Sequence, residues 1–205
     1  MAKTYYYKGS AILAPYTILS NEPHFDMETV SMKTQRASQG HQRWDISFSL
    51  QATAENEADV LLGMLTDFDI VNTMIMPQLP SVAARFSVNT SSPMTLSQTT
   101  FIDVTTVIVN TIGATGVLPK GSFISFSNHD KIYITTTELD LNQGLSAMSL
   151  GIYPSLRSFV NTSATINLMD DVDFLHYRDI DTSQGISFTD GILSNPGTIS
   201  LREAL

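Results

Sequence analysis

Large apolar residues and polar residues alternate along much of this chain, in short runs that end at turn signals. The clearest run spans residues 43–51, where every second residue is large and apolar: Trp44, Ile46, Phe48 and Leu50. Because successive side chains of a β-strand point to opposite faces, this period of two turns one face towards a core. The run predicts a half-buried antiparallel strand, and it favours a core position for Trp44 over a sugar-stacking role.

The segment from Leu118 to Leu156 shows the same alternation in three successive runs. It begins with a turn, continues as strand, polar turn, strand, glycine turn and strand, and stops at a proline. This order predicts a complete all-β unit. The unit contains no recognisable nucleophile, metal-ligand spacing or phosphate-binding loop. Its glycines and those just before it, at positions 113, 116, 121 and 144, are expected to form turns.

Two other features of the first half have a distinct pattern. Residues 1–20 combine three tyrosines at positions 5–7 with a short apolar run that ends at Pro15, which predicts an edge strand or an arm that packs on a neighbour. One helix is predicted over residues 55–68, with Thr53 as its cap, acidic residues in its first turn and an apolar stripe along one face.

Further strands are predicted over residues 71–78, 85–88, 101–110 and 159–168, and again after residue 172. Turn-prone sequence that starts at Ser91, and the acidic stretch over residues 170–173, mark two shifts in composition. The predicted fold class is therefore mainly β, in the order strands, one helix, a β-rich insert and further strands.

Composition limits the classes of partner. The 205 residues carry 11 Lys and Arg against 20 Asp and Glu, a net charge of −9, with no run of basic residues. Tight binding to a phosphate backbone is therefore not expected. The absence of cysteine excludes disulfides and thiol catalysis. The start of the chain lacks the apolar stretch of a signal peptide, so we expect the protein to be made and kept in a cytoplasm.

The residues that could support catalysis also have simpler roles. His24 with Asp26, or His176 with Asp179, has the spacing to orient an imidazole for base catalysis, but no partner nucleophile is recognisable. A carboxylate pair for glycoside hydrolysis, at positions 55 and 57 or 67 and 69, has a simpler role at the helix ends.

The acidic stretch at Asp170, Asp171 and Asp173 has the oxygen ligands that Ca²⁺ prefers, although an EF-hand pattern is absent. A solvated linker is the better account of these three carboxylates. We therefore expect no enzyme activity, no catalytic residue, no cofactor and no metal.

The central motif resembles a β-barrel insert of bacteriophage tail proteins. In that insert a Pro/Lys-x-Gly turn precedes a strand, a His-x-Lys-x-Tyr strand follows, and an Ile-x-Pro-x-Leu strand end comes after a glycine turn. Ser122 stands where Asp is common in the family. The matching positions, whose role the resemblance implies to be structural, are Pro119, Gly121, His129, Lys131, Tyr133, Gly144, Pro154 and Leu156.

The flanking sequence extends this resemblance over most of the chain from about residue 40. The chain is similar to the distal tail proteins of T-five-like siphophages. The segments that carry this similarity are the strand at 44–50, the helix at 55–68, the Pro-ended strand at 73–78 and the end at 199–205. The resemblance implies a discontinuous antiparallel β-sandwich or barrel domain with one helix, formed by residues 1–90 and 172–205. It also implies an inserted OB-like β-barrel over residues 91–171.

The resemblance further implies a hexameric ring between tail tube and tail tip, assembled in the host cytoplasm and located in the virion. Its expected partners are the tail tube protein, the tail-tip hub and the tape-measure protein, with no specific nucleic acid and no membrane. The alternative is a carbohydrate-binding module that attaches a particle to the host surface, using the insert and its residues Tyr133 or Tyr153.

Overall fold

The computed structural model describes residues 4–28, 34–38, 41–51, 58, 71–179, 187–189, 192–195 and 197–205. The chain divides into two compact units. The first, which we call the terminal unit, consists of Thr4–Asn72 and Leu175–Leu205. The second, the central unit, is Thr73–Phe174. The sequence placed the boundaries after residues 90 and 171, so the structure adds residues 73–90 and 172–174 to the central unit.

The described residues form mainly β-structure, as the alternating patterns predicted. The strands are β1 (Tyr6–Tyr7), β2 (Ser10–Asn21), β3 (His24–Glu28), β4 (Thr34–Ser38), β5 (Arg43–Leu50), β6 (Asn72–Ile75), β7 (Asn89–Thr90), β8 (Thr95–Leu96), β9 (Thr106–Asn110), β10 (Ala114–Thr115), β11 (Val117–Leu118), β12 (Phe123–Phe126), β13 (His129–Thr135), β14 (Leu139–Asp140), β15 (Met148–Tyr153), β16 (Ile166–Leu168), β17 (Asp173–Arg178), β18 (Ser187–Thr189), β19 (Ile192–Asn195) and β20 (Ile199–Glu203). The helices are α1 (Pro80–Arg85) and two short 3-10 helices, Leu141–Gln143 and Met169–Asp171.

The sheet of the terminal unit follows the order β1-β2-β5-β20-β17, with every neighbouring pair antiparallel. β5 confirms the alternation predicted from its sequence, because its apolar residues are buried and the residues between them are half-buried. Tyr7 packs edge-on against Phe48, with 5.5 Å between ring centroids. The aromatic residues of β1 and β5 thus share one core.

β2 and β5 continue into a second antiparallel pair. β2 pairs with β5 up to Asn21 opposite Arg43, and β3 then pairs with β4 from His24 opposite Ser38 to Glu28 opposite Thr34. All five residues of β3 are exposed. We call the β3–β4 pair the arm. The sequence predicted an edge strand or an arm over residues 1–20. β1 lies at the edge of the sheet, and the arm forms immediately after β2.

The sheet of the central unit curls until its edge strands meet. Its order is β16-β12-β13-β15-β9-β8. At the open edge, the Ile166 N–H donates to the Met94 carbonyl over 2.8 Å, and Thr95 forms a bridge with Thr165. The curled sheet encloses one apolar core, whose fully buried members include Val107, Val109, Leu118, Ile124, Tyr133, Leu141, Leu150, Leu156 and Val160.

Several of the predicted elements differ in the structure. The strand expected over residues 159–168 starts only at Ile166. Residues 85–88 were expected to form a strand, but α1 ends at Arg85 and residues 86–88 belong to no strand. Pro80 sits in the first turn of α1, where its missing N–H costs nothing, and alanines follow it. The strand expected from Phe101 starts only at Thr106. The helix expected over residues 55–68 lies outside the described residues, apart from Ala58.

Candidate functional site

His129 and Tyr133, two of the motif residues, meet on β13. The His129 Nε2 lies 2.9 Å from the Tyr133 hydroxyl. Phe126 completes an aromatic cluster: its ring stacks on His129 at 5.7 Å and meets Tyr133 edge-on at 5.5 Å between centroids. Tyr133 is fully buried, so its ring is not available to stack on a sugar.

A chain of hydrogen bonds with one consistent direction runs through this cluster. The Asn128 amide Nδ2 donates to the Phe159 carbonyl over 2.8 Å, so its Oδ1 faces His129 Nδ1 at 3.0 Å. A neutral His129 therefore carries its proton on Nδ1 and accepts the Tyr133 hydroxyl at Nε2. The Tyr133 oxygen in turn accepts the backbone N–H of Arg157 over 3.0 Å.

The environment keeps His129 neutral. Burial lowers the pKa of the His129 imidazole, and the nearby charges of Arg157 and Lys131 lower it further, whereas Asp130 acts in the opposite direction. A neutral imidazole fits the chain of hydrogen bonds, because Nε2 must accept. The Tyr133 hydroxyl and the Nδ1 atom of His129 both form hydrogen bonds within the fold. The arrangement braces residues 157–159 from β13, and it presents no base towards solvent.

The turn at the start of the motif is held by one carbonyl. The Pro119 oxygen accepts from the hydroxyls of Ser122, over 2.8 Å, and Thr135, over 2.9 Å. The Ser122 N–H donates back to the Thr135 hydroxyl. Gly121 has a φ of +90°, a conformation that side-chain-bearing residues rarely adopt. Ser122 thus locks the turn that leads into β12.

The remaining motif residues are also structural in their placement. Lys131 and Leu156 are buried. Leu156 exchanges backbone hydrogen bonds with the segment before β9, donating to Val104 and accepting from Asp103, both over 2.8 Å. Gly144 ends a 3-10 helix in the left-handed conformation. Pro154 follows a cis peptide bond. The motif residues are spread over the central unit, and only His129 and Tyr133 form a polar pair.

A residue that sequence reasoning missed is Gln78. Its buried carboxamide accepts the Phe123 N–H at 3.0 Å and donates to the Phe123 carbonyl at 3.3 Å. The Gln78 side chain thereby satisfies the backbone N–H and carbonyl of Phe123, as the backbone of a neighbouring strand would. No local pattern marks a glutamine for this role, since its partner lies far along the chain.

The polar face of the terminal sheet carries a second missed arrangement. The Arg202 guanidinium lies 3.1 Å from an Asp45 oxygen and 2.8 Å from an Asp179 oxygen. Burial lowers the pKa of Arg202, but the hydrogen bond to Asp45 and the negative charges of Asp45 and Asp179 together raise it above its usual value. Ser47 and Ser200 hydroxyls meet on the same face at 3.0 Å. One cation is therefore held by two anions on a hydroxyl-rich surface.

The alternative catalytic and metal positions find little support. His24 lies 3.3 Å from Asp26, but both side chains are exposed on the arm. Asp170 and Asp171 line a cleft of about 480 Å³ in the central unit. Across the part of the chain that the structure describes, no three His, Cys, Asp or Glu side chains come together as metal ligands would. The carboxylate pairs at positions 55, 57, 67 and 69 lie outside the described residues.

Two comparisons with known proteins add no relative. No protein-family model matches this chain, and no curated protein matches it in sequence. Among the described helices, none is long and apolar enough to cross a membrane.

Proposed function

We propose that this chain is a structural virion protein, a distal tail protein whose copies form a ring between the tail tube and the tail tip. DNA would pass through the lumen of that ring. The proposal combines the family resemblance of the sequence with two properties of the terminal unit and the net charge of the chain. The expected neighbours are other copies of the chain, the tail tube protein, the tail-tip hub and the tape-measure protein.

The exposed arm is the observation that carries the proposal. Phe25 and Met27 alternate along β3, so both side chains point to one face, and they are 66% and 65% exposed. Leu19, shortly before the arm on β2, is 57% exposed. Exposure of large apolar side chains to water costs free energy. Such side chains on a two-stranded ribbon are therefore expected to be covered by a neighbouring molecule. Neighbouring copies in a ring would supply that cover.

The edges of the arm support the same assembly. β3 and β4 pair only with each other within the described residues. A neighbouring subunit could add a strand to the other edge of either strand, which is a common mode of association between chains. An apolar face next to an open edge gives a neighbouring subunit both contact area and hydrogen bonds.

The charge of the protein suits a passage for DNA. The net charge of −9 opposes adhesion of a phosphate backbone. On the polar face of the terminal sheet, Arg202 is neutralised by Asp45 and Asp179. A surface of this kind lets a polyanion slide without binding.

The test uses the purified full chain at high concentration, and tails purified from the cells in which they assemble. We expect sedimentation to show a hexamer and negative-stain microscopy to show six-fold rings at the distal end of the tail. A Phe25→Ser/Met27→Ser double variant should shift the chain to monomers and leave tails without the ring. Ile112→Ser is the matched control, because Ile112 is 61% exposed but lies in the central unit.

Two results would overturn the proposal. The first is a wild-type chain that stays monomeric at all concentrations and is absent from purified tails. The second is a tail assembled without this chain that still ends in a normal tip.

A further inference from the structure

The two edges of the curled sheet in the central unit meet over only a few residues. β8 and β16 are joined by the Thr95–Thr165 bridge, and the Ile166 N–H donates to the Met94 carbonyl over 2.8 Å. The residue before Met94 is Pro93, which has no N–H to extend the pairing. A cleft of about 480 Å³ lies beyond this point, and its volume is in the usual range of ligand sites.

The wall of the cleft opposite β16 is held by a different strand. β7 pairs with β10, and the N–H and hydroxyl of Ser91 both donate to the Gly113 carbonyl, over 2.9 and 3.0 Å. These bonds hold the segment before Pro93 away from β16. Because the fold itself keeps the gap open, a ligand would lose little free energy to opening it.

β16 directs backbone groups into the cleft. In an antiparallel sheet, successive residues of a strand turn their N–H and carbonyl to opposite neighbours. The Ile166 N–H points away from β12 and towards Met94, so the Ile166 carbonyl and the Leu168 N–H both face the cleft side. In the described part of the central unit, no backbone group bonds to either of them on that side. One residue of an added strand can bond to both.

The side chains of the cleft combine an apolar lining with acidic residues after the end of β16. Phe86, Val88 and Leu168 line the cleft as half-buried side chains that pack against the apolar core. Asp170 and Asp171 also line it, and both are exposed. Among the described residues that line the cleft, none is Lys, Arg or His. The lining therefore favours a ligand with apolar groups and a cation over one that carries phosphate.

From this geometry we propose that the cleft binds an extended peptide segment of another protein, with alternating apolar side chains and Lys or Arg at one end. The peptide adds to the edge of β16 and bonds to the Ile166 carbonyl and the Leu168 N–H. Its apolar side chains pack on Phe86 and Val88, and its cation lies near the two aspartates on the rim. This inference does not rest on the ring proposal.

The experiment uses the full chain and two fluorescein-labelled hexapeptides, TVTVKK and KKTVTV, which cover the two possible strand directions. Anisotropy titration should give a dissociation constant below about 1 mM for at least one of them. Glutamates in place of both lysines, or serines in place of both valines, should weaken binding about tenfold.

N-methylated versions of the peptide that binds test the strand addition without any change in the protein. Methylation of one of the two central N–H groups should weaken binding about tenfold, and methylation of the other should weaken it much less. The reason is that alternate N–H groups of an added strand face the sheet. Equal effects of the two methylations would contradict the strand addition.

An Asp170→Asn/Asp171→Asn double variant tests the acidic rim. It should weaken binding of the lysine peptide about fivefold and reduce the salt dependence of binding. Asp173→Asn is the matched control, because Asp173 is exposed and close in the sequence but does not line the cleft. Thermal unfolding of each variant confirms that it is folded.

Several other results would also overturn the proposal. They are a wild-type chain that binds neither lysine peptide at millimolar concentration, a glutamate peptide that binds as tightly as the lysine peptide, and a double variant that binds as wild type does. Self-association that disappears in the double variant but not in Asp173→Asn would identify a second copy of the chain as the occupant, and would likewise overturn it.

Discussion

The Tyr133 hydroxyl and the His129 imidazole, 2.9 Å apart, are joined as a brace in the interior of the central unit. The pair connects β13 to residues 157–159 through the Arg157 N–H and, through Asn128, the Phe159 carbonyl. A His–Tyr pair in a cleft would suggest acid–base chemistry. Here the tyrosine is fully buried, and the hydrogen bonds end on backbone groups.

Tyr133→Phe should destabilise the central unit. It removes one hydroxyl, so the Arg157 N–H and His129 Nε2 both lose a hydrogen-bond partner in a part-buried site. We expect a loss of about 1–3 kcal/mol in the free energy of unfolding. Urea unfolding followed by circular dichroism measures it, with Tyr6→Phe as the control on an exposed tyrosine. Equal midpoints for the two variants would contradict the brace.

Stability should fall as the pH drops below the ordinary pKa of histidine. Burial lowers the pKa of His129, so the unfolded chain binds this proton at a higher pH than the folded chain. The stabilisation is complete above about pH 6.5 and is lost as the pH falls towards the folded pKa. His129→Gln should flatten this part of the stability profile. An unchanged slope in the variant would assign the effect to another group.

Gly116→Ala should be far more costly than Gly144→Ala. Both glycines have positive φ, +95° and +57°, which costs an alanine about 1–2 kcal/mol. At Gly144 a Cβ meets nothing within 4 Å, whereas at Gly116 it would clash with the Ser87 backbone carbonyl. We expect Gly116→Ala, but not Gly144→Ala, to give less folded protein on expression or to unfold at a much lower urea concentration. Similar stabilities would show that the segment at Ser87 gives way easily.

Glu203→Ala should destabilise the terminal unit more than Glu138→Ala destabilises the central one. Glu203 is fully buried and accepts the Trp44 N–H at 3.0 Å. Removal of that acceptor should cost about 1–3 kcal/mol, whereas the exposed Glu138–Arg85 pair contributes no more than about 1 kcal/mol. Trp44 is the only tryptophan, so its fluorescence reports unfolding of the terminal unit. Equal effects would mean that Trp44 finds another acceptor at no cost.

Local periodicity predicted the parts of the fold that depend on near neighbours. The alternation at residues 43–51 placed Trp44 and Phe48 in the core, and the structure confirms it because one strand face decides both positions. The glycine turns followed from the same kind of local signal. The strand predicted from Phe101 failed because residues 101–103 form a turn, with Asp103 at a φ of +66°. β-branched residues favour a strand without fixing where it begins.

Long-range partners were beyond the sequence. Gln78 with Phe123 and Asp45 with Arg202 join residues far apart along the chain, and neither pair has a periodic signal. Phe159 lies at the start of the strand predicted over residues 159–168, yet it is exposed next to the Thr100–Val160 bridge.

The antiparallel pairing of β2 with β5 has a mechanical consequence. Antiparallel hydrogen bonds lie perpendicular to their strands, so a pull along the ribbon loads all of them in shear at once. A pull across the ribbon would instead open it one bond at a time, like a zipper. Because β5 is also bonded to β20, tension on the arm along β2 is spread into the sheet of the terminal unit. Single-molecule pulling in the two directions would reveal a strong axis and a weak one.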